Sequence, residues 1–209
     1  MNSHGHTLTS SSSGELLSWR ASQPIRSTLI SQSGSEPVSL AEVKDQLAIA
    51  RSDTAHDTRL DRLISAARQK YEYDTTTTML VSIYEDIYES FYDRIRLSRR
   101  TATAITSISY YDNANQLQTL SVDAYELDTS LQEVRLKVDQ SWPNIESRWD
   151  AVRIRYTASF ATIPETAKHA IILLVCFWFE MADLILSPNM IANQAYESLV
   201  AVHQRSTYP

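Results

Sequence analysis

At 209 residues the chain has room for one substantial core, and 43% hydrophobic against 21% charged residues is the balance of a soluble globular protein. A formal charge of −6 and a pI near 5.4 argue against a chain that coats nucleic acid by charge alone, because such proteins are strongly basic. The single cysteine, Cys176, excludes a disulfide within one chain, and its apolar surroundings in sequence read as a small core residue.

The first residues, MNSHGHTLTSSSSGELLSW, lack the basic start and the apolar core of about 7–15 residues that a secretory signal needs. Residues 1–34 therefore read as a flexible arm. His4 and His6 within it are either a metal-binding pair or plain disordered sequence. All three glycines, Gly5, Gly14 and Gly34, fall in this arm, and none occurs from Ser35 to Pro209. Phosphate-cradling loops, dinucleotide fingerprints and the nucleophile elbow all need glycine for positive φ or close backbone approach. ATPase, dehydrogenase and α/β-hydrolase readings lose their usual support.

From Pro37 the pattern is helical. Ser39 followed by Glu42 forms a capping box, and Leu40, Val43 and Leu47 share a face, which predicts a helix over 39–50. A second helix is predicted over 57–74. There Leu60, Leu63, Ile64, Ala67 and Tyr71 make the apolar stripe, with Asp57, Arg59, Asp61, Arg62 and Arg68 on the wet side. After Thr75–Thr78 the period changes to two, and a β region is predicted over 79–158. The clearest strands are VRLKV (134–138) and VRIRY (152–156). IRLS (95–98) and AITSISYYD (104–112) are further strands, and DNANQ (112–116) supplies residues that tolerate the left-handed geometry of a hairpin turn. IYEDIYESFYD (83–93) fits both periods, and its β-branched and aromatic content favours strand.

AIILLVCFWF (170–179) raises the question of a membrane. Thr162 and Glu165 fit a capping box, Pro164 sits in the first turn, and Ser187-Pro188-Asn189 ends the segment. The predicted helix, 164–186, is roughly 34 Å long at about 1.5 Å per residue. Lys168 and His169 precede the run, while Glu180 and Asp183 interrupt it. The uncharged stretch is thus short of the roughly 18–20 residues a span requires. Ala167, Ala170, Ile171, Leu174, Trp178 and Met181 on one side, with Ile172, Val175, Cys176 and Phe179 on another, predict burial on more than one face. Residues 189–209 follow as a C-terminal extension.

Charge divides unevenly. Residues 35–93 hold six Lys and Arg against twelve Asp and Glu, and residues 94–155 hold nine against eight. The strand region carries Arg94, Arg96, Arg99, Arg100, Arg135, Lys137, Arg153 and Arg155, either as a solvated sheet face or as a surface for an acidic neighbour or passing DNA. Chemistry has little to stand on. His56, His169 and His203 follow no metal-ligand spacing, and no cofactor is implied. Cys176 and His169 lie about 10 Å apart along a helix axis, too far for a nucleophile and its base. The acids of 84–93 would need partners that no other motif supplies. The reading is α+β, mainly α: a small helical bundle with an inserted antiparallel β region and flexible arms, built for binding or assembly and not for catalysis.

SLAEVKDQL, DTRLDRLISAARQKYEYDT, IRLSRRTATAITSISYYD, YELDT, QSWP, VRIRYTASF and IPETAKHAIILLVCFWFEMAD follow one another in an order that resembles the head–tail connector proteins of tailed bacteriophages, also called head-completion or adaptor proteins. The likeness covers roughly 37–186. It departs at DNANQ and at Ser159, where the family often has glycine. The resemblance implies a ring of about twelve copies below the portal in the virion neck, made in the host bacterial cytoplasm. It implies a docking surface for tail or stopper, DNA that passes without sequence-specific binding, and no membrane partner. The expected interface residues are Arg135, Lys137, Trp142, Trp149, Arg153, Arg155, Phe179 and Asp183. Arg153 and Arg155 are expected to pair with acidic helices of neighbouring subunits. The alternative is a small DNA-binding module using the arginine-rich strand face; a third reading is a hydrolase using the acids of 84–93.

Overall fold

The computed structural model describes residues 23–181 and 190–204, with side chains of the last helix described from Gln194 onward. Among them lie β1 (Arg26–Ser33), α1 (Leu40–Gln46), α2 (Asp57–Thr75), β2 (Val81–Tyr88), β3 (Ile95–Arg96), β4 (Ala102–Tyr111), β5 (Leu117–Thr119), β6 (Tyr125–Asp128), β7 (Glu133–Leu136), β8 (Val152–Ala158), α3 (Glu165–Met181) and α4 (Met190–Ala201). The strands build two antiparallel sheets, one of order β1-β2-β8-β4-β5 and one of order β3-β7-β6.

The expected mainly helical bundle is overturned by these eight described strands. Helices announce themselves over many residues, whereas β5 and β6 are three and four residues long and carry too little periodicity to weigh in a sequence reading. Strand β1 lies in the stretch assigned to a flexible arm. All eight of its residues are exposed, so it has no buried face to impose alternation. His4 and His6 lie outside the described residues.

The chain divides into two compact units, and it passes from one to the other within β1, β2, β4 and β8 and once between β3 and β4. One comprises Met1–Thr28, Glu85–Ser98 and Thr106–Arg155; the other comprises Leu29–Tyr84, Arg99–Ile105 and Tyr156–Pro209. The second holds the four helices around Leu60, Ile64, Ala67, Tyr71, Ile171, Leu174, Val175 and Tyr196. The capping box at α1 is present: Ser39 Oγ accepts from Glu42 N–H, and Ser39 N–H donates to Glu42 Oε2 at 2.7 Å. The Ser39 hydroxyl bond holds the Glu42 carboxyl below its ordinary range. Helix α1 ends earlier than predicted because its Lys44 is buried and turns the chain back. The ammonium donates to the Asp53 carbonyl at 2.6 Å and pairs with Asp57, and Ala48 takes a left-handed φ of 54°.

Arg68, expected on the wet side of α2, is only 4% exposed. It continues the i+4 row of Leu60 and Ile64, and two carboxylates compensate its burial, Glu36 at 2.8 Å and Glu72 at 2.7 Å. Helix α3 also differs from expectation. Its buried residues, Ala167, Ala170, Ile171, Leu174 and Val175, make one stripe, while Leu173, Cys176 and Phe177 are half-buried. Burial and the nearby Glu180 push the Cys176 thiol up to about 11. Among the described residues no helix is long and apolar enough to cross a membrane. Tyr196 of α4 donates to Asp74 Oδ2 at 2.7 Å, which ties α4 to α2.

Candidate functional site

Strand β8 alternates as predicted: Val152, Ile154, Tyr156 and Ala158 are buried, and Arg153 and Arg155 take the other side. Both arginines find carboxylates inside their own chain. Arg155 Nη2 lies 2.8 Å from Glu85 Oε2, and Arg153 Nη2 lies 3.0 Å from Asp150 Oδ2. Asp150, 5% exposed, also receives the forked guanidinium of Arg148, with Nε to Oδ1 at 2.5 Å and Nη2 to Oδ2 at 3.1 Å. Arg148 Nη1 donates to Asn115 Oδ1 at 2.8 Å, and its guanidinium carbon stands 3.8 Å from the Tyr111 ring centre.

Asn115 is supplied by the β4–β5 hairpin, whose register pairs Ser109 with Thr119 and Tyr111 with Leu117. The turn is built by Asp112, which accepts the N–H groups of Ala114 at 3.0 Å and Gln116 at 2.9 Å, while Asn115 takes φ 57°. The hairpin anticipated at DNANQ is therefore made without glycine. Asn113, Asn115, Glu146, Arg148, Trp149 and Asp150 line an open depression of about 470 Å³. The Trp149 indole is 55% exposed, with the Arg26 guanidinium 5.5 Å from its ring centre. An exposed indole beside guanidinium and amide groups is equipped for recognition, since such anchors dominate binding energy at interfaces.

The Arg148 bond holds the Asp150 carboxyl below the ordinary carboxylate range, overcoming desolvation that pushes the other way, with Arg153 adding to it. A depressed folded-state value contributes stability above the unfolded value, and this is lost as pH falls from about 4 through the folded value. Asp150→Asn is expected to be less stable than wild type at neutral pH, with the gap closing as pH falls below about 4. Melting temperatures at three pH values check this, and a gap independent of pH would count against the linkage.

The other anticipated residues are dispersed. Arg135 pairs with Asp128 at 3.0 Å and Glu133 at 3.3 Å, and Lys137 Nζ donates to the Val122 carbonyl at 3.4 Å. Trp142 stacks on Phe91, with centroids 4.5 Å apart and planes 5° apart, so its indole is committed to packing. Phe179, in the helical unit, lies under the Arg59 guanidinium at 4.5 Å and meets the edge of His56 at 5.3 Å. Asp183 lies outside the described residues. Sequence reasoning missed Arg148, Asp150, Tyr111 and Asn115. The available signal was RWDAVR (148–153), which sets one carboxylate between two arginines.

No family model matches the sequence, and no curated protein matches it. Solved structures do. A chain from the neck of an empty gene transfer agent (GTA) particle computed with C6 symmetry aligns at a TM-score of 0.68 and 16% identity, covering 87% of this chain and 97% of that one. The fold is shared with chains of gene transfer agent particles. A chain from the virion of a native particle gives 0.68 at 16% identity, covering 88% and 98%, and one from a native neck computed with C12 symmetry gives 0.63 at 16%, covering 87% and 97%. At that identity the likeness is one of fold, and it extends over nearly the whole length of each gene transfer agent chain.

Proposed function

We propose that this chain is a structural neck component of a phage-like particle, a head–tail connector that closes into a ring below the portal, extends the DNA channel and docks the tail or stopper. The observation that carries this reading is the nearly end-to-end fold likeness to chains taken from particle necks with six- and twelvefold symmetry. The order of segments from SLAEVKDQL to IPETAKHAIILLVCFWFEMAD supports it independently. Its work is assembly and not catalysis, its place is the virion neck, and its synthesis is in the host bacterial cytoplasm.

The arginine-rich face fits this role better than that of a DNA-binding module. Of that face, Arg96, Arg135, Arg153 and Arg155 are each paired with carboxylates of the same chain, as is Arg148, which shares Asp150 with Arg153. Such pairs leave little charge to release counterions from phosphate, which is what a sliding duplex requires of its conduit.

The test is to mix the purified chain with the portal protein of the same genome and to examine the product by native mass spectrometry and negative-stain imaging. A closed ring of about twelve copies is expected. A chain that stays solitary beside portal, with particles that take tails and infect without it, would end the proposal. Within the ring Trp149 is an anchor: Trp149→Ala should leave the melting temperature nearly unchanged and weaken assembly by roughly 30-fold, the effect of about 2 kcal/mol at a hot spot. Sedimentation across a concentration series reads this, and unchanged assembly would remove Trp149 from the interface.

A further inference from the structure

We infer that the outer edge of β1 is an assembly edge, which takes an extended segment from a second copy of this chain; the inference rests on the ring reading above. Among the described residues, strand β1 ends the five-stranded sheet, with β2 on one side only. Every residue from Arg26 to Ser33 is exposed, and Leu29 and Ile30 are 46% and 47% exposed. Ile25 just before the strand and Val81 on β2 add 53% and 51%. Proteins that must stay apart blunt such edges with lysine, proline or a covering element. RSTLISQS contains neither lysine nor proline, and its one charge, Arg26, stands at the first position.

The backbone phase identifies the donors. Successive N–H groups of a strand point to opposite sides. Ile25 N–H, just before the strand, reaches the Ile87 carbonyl of β2 at 2.8 Å, so the neighbouring Arg26 amide turns outward. Further outward amides alternate along the strand, with the apolar side chains of Leu29 and Ile30 beside them to exclude water from an added strand.

A second copy is the occupant because the fold is shared with chains of C6 and C12 assemblies. Cyclic symmetry repeats one contact between two different surfaces of the same chain. An open sheet edge supplies one of those surfaces through backbone groups, whatever the side chains.

Proline at an outward position separates the edge from the fold. Of Leu29→Pro and Ile30→Pro, adjacent and so of opposite phase, one removes only an outward donor and no bond to β2, and its melting temperature should shift by only about 2 °C. Its rings with portal should be at least about tenfold weaker than wild type. The other variant of the two removes a bond to β2 and should lower the melting temperature instead. In wild type, the alternate amides of β1 that exchange fast in the single chain should be slow in the ring, and this measurement decides even if the proline variants fail to fold. Rings that assemble with those amides still exchanging fast, or a proline variant of unchanged melting temperature that assembles like wild type, would overturn the edge contact alone. Wild-type chain that never forms rings with portal would overturn the ring reading and this inference with it.

Discussion

Arg68→Ala is expected to lower folding stability by about 3–5 kcal/mol, the cost of breaking a buried ion pair from one side. The guanidinium holds Glu36 Oε2 from Nε and Glu72 Oε2 from Nη1, and Ser65 donates to the other Glu36 oxygen at 2.7 Å. Glu72 in turn accepts the Met79 N–H at 2.7 Å on Oε1, so the same carboxylate ties α2 to the chain leading into β2. Without the arginine, Glu72 remains 7% exposed with its charge uncompensated. For a chain of this size the melting temperature should fall by roughly 6–20 °C. Glu72→Gln, which keeps an acceptor for Met79, should cost less than Arg68→Ala. Urea unfolding followed by circular dichroism measures both. A loss below about 1 kcal/mol for Arg68→Ala would mean that the network behaves like a surface pair.

The second large effect belongs to α3. Ile171 is fully buried among the residues of α2 and α4, and Ile171→Ala should cost about 2–5 kcal/mol through lost burial and the cavity left behind. Phe177, six residues on, is half-buried, and Phe177→Ala should cost only roughly 1–2 kcal/mol despite the larger side chain. Paired urea titrations of the two variants give the comparison. Equal losses would mean that α3 is enclosed all round, as its sequence suggested. The inequality, if found, marks Leu173, Cys176 and Phe177 as apolar surface that a single copy covers only in part.

The local devices were legible in the residues themselves: the capping box at Ser39, the helical stripe from Leu60 to Tyr71, the alternation of VRIRY, and the left-handed turn at Asn115. Each depends on neighbours within a few positions, where backbone geometry and side-chain spacing carry the information. The balance of helix and strand was not legible to the same degree, because short strands and an exposed edge strand leave almost no period in the sequence.

What the sequence alone determined here is local: which segments coil, which extend, where the chain turns without glycine, and the order of segments that resembles a connector. Tertiary structure decided the fate of the charges. Arg68 is buried because a glutamate 32 positions away meets it, and Arg155 is neutralised by one 70 positions away. An ion pair forms wherever folding brings opposite charges within a few ångströms, and separation along the chain carries no trace of that meeting.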